Sequence, residues 1–130
     1  MAHFAQVVDG IVVNVIVVSD EDTSVNGVEQ ESVGVQFCNN LYGGEGGTWI
    51  QTSYHTTGGL HLNGGTPLRA NFAGIGMFYD AEHDIFYHKS PYPSWTLNYE
   101  TGTFNPPKPF PTDGFWRWDE ETQNFEYISK

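Results

Sequence analysis

One eight-residue pattern occurs three times in the C-terminal part of the chain, at residues 79–86, 97–104 and 118–125. Each copy begins with an apolar residue followed by Asp or Asn; Glu stands two positions and Phe six positions after that Asp or Asn. Asp and Asn open turns because their side chains accept hydrogen bonds from backbone amides just downstream. Apolar residues opposed across a hairpin stabilise it. The pattern therefore predicts three β-hairpins with loops of about four or five residues.

Proline-rich segments separate the copies, at residues 91–93 (Pro-Tyr-Pro) and at residues 106–111. Proline cannot donate a hydrogen bond to a sheet, so these segments are expected to be extended connectors. A single hairpin is only marginally stable in water. We therefore predict that residues 79–130 form an extended C-terminal region of three hairpin repeats, which has too little core of its own and packs on another surface.

The N-terminal residues 1–78 are predicted to form a β-rich body with a small antiparallel sheet. Asp9 and Gly10 stand between two β-branched runs within residues 4–18, which is a strong hairpin signal. Residues 48–54 are typical of a strand, and short strands are expected around Phe72 and Ala73 and in residues 76–79. The predicted fold class is mainly β (α+β), with this small N-terminal antiparallel sheet and one short helix, followed by proline-spaced β-hairpin repeats.

The one helix is predicted at about residues 29–42. Its predicted buried face repeats at every fourth position, at Val33, Phe37 and Leu41. Ser32 is the expected N-cap, and Gly43 with Gly44 is expected to end the helix. Gly34 weakens this prediction, because Gly destabilises a helix by about 1 kcal/mol relative to Ala.

Charge excludes several classes of partner. The chain has 5 Lys and Arg against 16 Asp and Glu, a net charge of -11, and its cations are scattered. Nucleic-acid binding requires a clustered basic surface, and an anionic membrane would repel this chain. The longest purely apolar run, residues 15–18, is too short to span a bilayer. No secretory signal peptide is expected, and one cysteine, Cys38, in an apolar context fits synthesis in a reducing cytoplasm.

The sequence predicts no enzyme, no cofactor and no metal. Cys38 has no apparent His partner, and neither a Gly-x-Ser-x-Gly elbow nor a phosphate-binding Gly-x-Gly-x-x-Gly motif is present. The acidic loop at residues 19–29 does not have the oxygen spacing of a calcium-binding loop. His83 and His88, with the acidic residues near them, lack the spacing of a known zinc site.

Aromatic residues in or beside the proline-rich connectors are the candidate binding residues. They are Tyr92, Trp95, Phe110, Phe115, Trp116 and Trp118. About half of them are expected to cover the core of a small β domain. The others are expected to be exposed, either as anchors in a protein contact or as rings that stack on sugars.

Five segments of the chain carry a resemblance to a known family: residues 1–5, 49–54, 73–76, 91–98 and 118–122. The second of these reads Trp-Ile-Gln-Thr-Ser-Tyr and the fourth begins Pro-Tyr-Pro-Ser-Trp. Together the segments resemble a family of small proteins encoded by tailed phages of cyanobacteria and marine bacteria. The resemblance implies a structural protein of the virion, and it brings no catalytic residue with it.

The sequence and the resemblance predict a non-enzymatic virion protein, made in the host cytoplasm, that docks through its C-terminal region. Decoration or cementing of the capsid is preferred over attachment to the tail. The expected partners are major capsid or tail proteins, with a homo-oligomer left open and with neither nucleic acid nor membrane. The alternative is a receptor- or carbohydrate-binding module of a tail fibre or baseplate.

Overall fold

The computed structural model describes residues 1–42 and 47–129. It has one α-helix, a five-stranded sheet and four two-stranded ladders within those residues, so the mainly β prediction is confirmed. The elements, in chain order, are β1 (Ala2–Val8), β2 (Ile11–Val18), a 3-10 turn (Asp20–Asp22), β3 (Ser24–Val25), β4 (Val28–Glu29), α1 (Glu31–Tyr42), β5 (Thr48–Thr52), β6 (Thr56–Thr57), β7 (Leu60–His61), β8 (Phe78–Asp80), β9 (Ile85–Tyr87), β10 (Thr96–Asn98), β11 (Thr103–Asn105), β12 (Phe115–Asp119) and β13 (Asn124–Ser129).

The main sheet is antiparallel and has the strand order β5-β1-β2-β8-β9. The hairpin predicted at Asp9 and Gly10 is confirmed, and both residues have positive φ, at 51° and 78°. Such a turn requires positive φ at both central residues, which Asp and Gly tolerate. The pairing of β1 with β2 shifts register between Gln6 and Val7.

Each face of the sheet carries its own core. The core between α1 and one face contains Ala2, Phe4, Val18 and Trp49 from the sheet and Cys38 from the helix. The opposite face buries Ala5, Val7, Val12, Ile50, Ala73, Met77 and Phe86. Alternate residues of a strand point to opposite faces, which is why Phe4 and Ala5 belong to different cores. Cys38 is fully buried.

The buried face of α1 differs from the prediction. The helix buries Gly34 and Cys38, whereas Val33 and Phe37 are partly buried and Leu41 is 60% exposed. The reason is the ring of Phe4, which occupies the space where a side chain on residue 34 would lie. A helix approaches a sheet closely where it has no side chain, so Gly34 marks the contact.

The ends of α1 also correct the prediction. The helix begins at Glu31, and the carbonyl of Gln30 accepts hydrogen bonds from the amides of Val33 and Gly34. Ser32 therefore lies in the first turn and is not the N-cap. The predicted stop at Gly43 and Gly44 lies outside the described residues.

The predicted boundary after residue 78 falls within a strand. β8 and β9 form the first repeat hairpin, and they are the last two strands of the main sheet. The N-terminal body therefore includes the first repeat. The strand expected at Phe72 and Ala73 is also corrected: both residues lie outside the strands, and their amides bond to Thr56 O at 2.8 Å and Thr52 Oγ1 at 2.8 Å.

All three repeats form the predicted hairpins. The first residue of each repeat opposes its Phe across the loop, as Tyr79–Phe86, Leu97–Phe104 and Trp118–Phe125. The Asp or Asn side chain accepts the amide two residues on, at 2.9 Å for Asp80, 2.9 Å for Asn98 and 3.0 Å for Asp119. The last loop residues, Asp84, Gly102 and Gln123, all have positive φ. Each repeat thus encodes its own turn through residues within the eight-residue pattern, which we call the turn code.

The substitution Gly34→Ala tests the contact between α1 and the sheet. A methyl group would overlap the Phe4 ring, and we expect a loss of about 1–3 kcal/mol of unfolding free energy despite the better helix propensity of Ala. Chemical denaturation measures it, with the exposed helix position Ser32→Ala as control. A Gly34→Ala protein as stable as the control would contradict this packing.

Candidate functional site

The structure brings together four of the six predicted site residues. Tyr92, Trp95, Phe110 and Trp118 join Phe125 in what we call the aromatic cluster. Ring centroids lie 5.9 Å apart for Trp95 and Trp118, and 5.0 Å apart for Trp118 and Phe125. These separations are typical of favourable edge-to-face pairs. The cluster packs the first proline-rich connector on the third hairpin.

A single carboxylate fastens this packing. Glu120 accepts hydrogen bonds from Ser94 Oγ at 2.6 Å, Ser94 N at 3.2 Å and Trp118 Nε1 at 2.9 Å. The hydrogen bond from the Ser94 hydroxyl, followed by that from Trp118, lowers the pKa of Glu120. The C-terminal region therefore has a small core of its own, which corrects the expectation that it has too little local packing.

The other two predicted residues, Phe115 and Trp116, lie at the free end of the third hairpin. Trp116 packs on Tyr127 with ring centroids 5.1 Å apart, and its indole N–H donates to Asp113 O. Phe115 is 64% exposed and Tyr127 is 52% exposed. We call Phe115, Trp116 and Tyr127 the open aromatic end. Phe110, at the margin of the aromatic cluster, is also exposed.

One polar atom in the aromatic cluster has no partner. The indole N–H of Trp95 is buried and finds no acceptor among the described residues. A buried donor without a partner destabilises a fold by about 1–3 kcal/mol.

The second hairpin is attached to the body by an amide that the sequence analysis missed. Asn71 is buried, and its Nδ2 donates to Phe86 O at 2.8 Å and Gly102 O at 2.9 Å. Gly102 has φ of 65°, and a side chain there would overlap Asn71. The rings of His83 and Tyr99 also stack, with centroids 3.5 Å apart. These contacts fix the second repeat on the first.

Arg69 is the other residue that the sequence analysis missed. Its Nη1 donates to Glu31 Oε2 at 2.9 Å and to Gln51 O at 2.8 Å, and its Nε donates to Asp84 at 2.7 Å. The guanidinium thus connects α1, β5 and the turn between β8 and β9. An isolated Arg in a loop carries no sequence signal, and its three partners are far apart in the chain.

A cavity of about 550 Å³ opens beside Arg69. Its lining residues are Val7, Asp9, Gly10, Glu31, Thr48, Trp49, Ile50, Arg69, Tyr79 and Ala81. Its volume is in the range of small-molecule sites. However, the charged side chains of Glu31 and Arg69 bind each other, and the Tyr79 hydroxyl donates to Asp84. The side chains of Glu31, Arg69 and Tyr79 are thus already engaged within the protein.

The protonation states around Arg69 are those of a structural network. Burial, and then the hydrogen bond to Asp84, raise the pKa of Tyr79 to about 12. Burial alone would raise the pKa of Asp84, but its hydrogen bonds with Tyr79 and Arg69 bring it below its usual value. Tyr79 therefore keeps its proton and Asp84 its charge near neutral pH. Neither group is poised for proton transfer at that pH.

Asp80, Glu82 and His83 are one group of described residues whose ligand atoms all lie within 4.8 Å of one another. Asp80 Oδ1 accepts the amides of Glu82 and His83, and Oδ2 lies 3.0 Å from His83 Nδ1. These hydrogen bonds build the turn of the first repeat. His88 is not part of this group.

Comparison with known proteins finds no matching family model, no matching curated protein and no matching solved structure. Among the described residues, no helix has the length and apolar character needed to cross a membrane.

The substitution Arg69→Met tests the guanidinium network. It removes the guanidinium donor from Glu31, Asp84 and the carbonyl of Gln51, so we expect a loss of about 2 kcal/mol of unfolding free energy. Arg117→Met is the matched control, because Arg117 pairs with Glu126 on the surface with its side chain 71% exposed, compared with 14% for Arg69. The control should lose under about 0.5 kcal/mol. Equal losses in urea denaturation would argue against the network.

Stability should fall in alkali. Burial raises the pKa of Cys38 from 9.0 to about 11, and the pKa of Tyr79 rises from 10.0 to about 12. The folded state keeps these protons where the unfolded state loses them, so unfolding free energy decreases as pH rises from 9.0 to about 12. Urea midpoints across this range measure the decrease. Tyr79→Phe should flatten its upper part, and an unchanged slope would refute the assignment to Tyr79.

Proposed function

We propose that the chain is a non-enzymatic structural protein of a phage virion. It docks on the head, as a capsid decoration or cement protein, or on the tail, through its C-terminal aromatic region. Its partners are major capsid or tail proteins. The phage assignment rests on the sequence resemblance, and the docking role rests on the geometry of the third hairpin.

The observation that carries the docking role is the open aromatic end. Phe115 is 64% exposed and Tyr127 is 52% exposed. Trp116 is half-buried and packs on Tyr127, its partner across the hairpin. Exposed large aromatic side chains that are grouped together mark interaction sites. Trp and Tyr contribute a large share of the binding free energy in protein interfaces. This group is therefore suited to insertion into a groove of another protein.

The hairpin that carries the open aromatic end is held in place before binding. Glu120 and the aromatic cluster fasten it to the connector at residues 91–95. A preorganised binding element loses less conformational entropy when it binds. The net charge of -11 would keep free subunits apart before assembly.

The described polar groups also favour a binding role over catalysis. Arg69, Glu31, Asp84 and Tyr79 are engaged with one another beside the cavity of about 550 Å³. Cys38 is fully buried, and burial raises its pKa to about 11, so it remains a thiol at neutral pH. A nucleophile needs the opposite shift.

Binding of a glycan receptor is the second candidate function. It is favoured by the exposed rings, since aromatic side chains stack on sugars. The ring planes of Trp116 and Tyr127 lie at 73° to each other, so they do not form a flat platform. Titration with host polysaccharide should change Trp fluorescence if a glycan binds, and no change at high sugar concentration would reject this candidate.

The experiment that tests the proposal is quantitative mass spectrometry of gradient-purified particles of a phage that encodes the chain. A level comparable to that of the major shell protein would favour head decoration. A small fraction of that level would favour the tail or a fibre. Absence of the protein from the particles would overturn the virion proposal.

The substitution Trp116→Ala should weaken retention on the particle by about tenfold or more, because truncation of a central interface Trp typically removes 2 kcal/mol or more of binding free energy. Tyr54→Ala is the matched control, since Tyr54 is 63% exposed but lies on the body. Retention is measured by the amount of each protein that remains on particles after dilution. Equal retention of the two variants would argue against docking through the open aromatic end.

A further inference from the structure

One long edge of the main sheet is left without a neighbouring strand. β2 pairs with β1 at every residue except Val13, where the register shifts. On its other side, only the part up to Val12 has partners, in β8 and residues 76–77. Across residues 1–42 and 47–129, no strand pairs with that side of residues 13–18. We call this side of residues 13–18 the open β2 edge.

The two outer strands of the sheet are protected in a way that β2 is not. The amide of Gln51 in β5 donates to Glu31, and its carbonyl accepts from Arg69. In β9, the amide of Phe86 donates to Arg69 O, and its carbonyl accepts from Asn71. Side chains and loop backbone therefore provide hydrogen-bond partners for Gln51 and Phe86 on the outer strands, as natural proteins usually arrange for edge strands.

The residues of the open β2 edge favour strand pairing. Residues 13–18 read Val-Asn-Val-Ile-Val-Val and contain no charge and no proline. Val13 is 44% exposed and Val17 is 54% exposed. Charged residues, prolines and β-bulges are the usual devices that prevent an edge from pairing with another chain. The register shift of β2 is confined to Val13, and residues 14–18 have none of these devices. An apolar β-branched edge without them is a template for strand addition.

An acidic hollow of about 690 Å³ lies at the end of this strand, lined by Asp20, Glu21, Ser24, Gly27 and Glu29. One of its carboxylates, that of Asp20, binds the N-terminal ammonium group. Glu21 and Glu29 are exposed and form no ion pair with another described residue. A strand that carried basic residues at this end would meet complementary charge.

We propose that the open β2 edge binds an extended segment of another protein as an added antiparallel strand. The segment has alternating β-branched residues, preceded by basic residues that reach Glu21 and Glu29. Backbone hydrogen bonds would supply affinity, and the valines with the acidic hollow would supply specificity. This surface is separate from the open aromatic end, so the inference goes beyond the proposed docking role.

A second copy of the chain fits this edge less well. Antiparallel self-pairing centred on Val15 would bring Asp9 of one copy towards the turn Asp20–Asp22 of the other. Like charges that face each other across a strand pair are destabilising. Each copy has a net charge of -11, so long-range electrostatic repulsion also opposes pairing of two copies.

The test uses the full chain and a fluorescein-labelled peptide, Lys-Lys-Thr-Val-Thr-Val-Thr-Val with a capped C-terminus. Fluorescence anisotropy measures binding, and hydrogen exchange locates it. We expect binding that weakens as salt increases, with new protection of amides within residues 13–18. A peptide with Glu-Glu in place of Lys-Lys is the charge control, and it should bind at least about tenfold more weakly.

The double substitution Val13→Lys and Val17→Lys should weaken binding by about tenfold or more, because lysines on an edge block strand addition and repel the basic end of the peptide. Ile75→Lys is the matched control, at a residue 74% exposed outside the strands. Circular dichroism verifies that each variant is folded. The Trp116→Ala variant should bind the peptide normally, which separates this test from the docking test.

Three results would overturn the inference. One is equal binding of the peptide by the edge variant and by Ile75→Lys. Another is protection outside residues 13–18, for instance in the third hairpin. The third is a concentration-dependent dimer of the chain that protects the same amides without any peptide, since that would identify a second copy as the occupant.

Discussion

The five-stranded sheet depends on one guanidinium group. Arg69 binds Glu31 at the start of α1, the carbonyl of Gln51 in β5 and Asp84 in the turn between β8 and β9. β5 and β9 are the two outer strands of the sheet. Arg69 therefore links one outer strand, β5, to the turn that leads into the other, β9. The side chain of Arg69 is only 14% exposed. Its burial is tolerated because each of its three nitrogens donates to an oxygen atom.

The backbone at Arg69 and Ala70, which positions this guanidinium, has a strained conformation. Arg69 and Ala70 both have positive φ, at 53° and 67°, which is unfavourable for residues with a side chain. In return, Arg69 O accepts the amide of Phe86 at 3.1 Å and Ala70 O accepts the amide of Gly59 at 2.9 Å. Residues 69–73 thus provide hydrogen-bond partners for nearby backbone amides, although they do not form a strand. Strain of this kind persists only where surrounding contacts determine the conformation.

The sequence predicted what is encoded locally and missed what depends on distant contacts. The hairpin at Asp9 and Gly10 and the three repeats were predictable, because their turn residues act within a few positions. The buried face of α1 was not, because it depends on how the Phe4 ring fits against Gly34. Nor was the role of Asn71, which bonds to the carbonyls of Phe86 and Gly102, 15 and 31 residues away in the chain. The six aromatic candidates were found by type, but their division into a packed cluster and an open end required the structure.

The three repeats use one turn code for different purposes, because each has a different attachment. The first becomes part of the main sheet, and its Phe86 is fully buried. The second is fixed through Asn71, and its Phe104 is half-buried. The third pairs with no strand of the body and instead uses Glu120 and the aromatic cluster. These contacts involve the loop end of the hairpin, at Trp118, Glu120 and Phe125. Phe115 and Tyr127, at its other end, are exposed. The same local sequence that completes a core at one position can therefore present a binding surface at another.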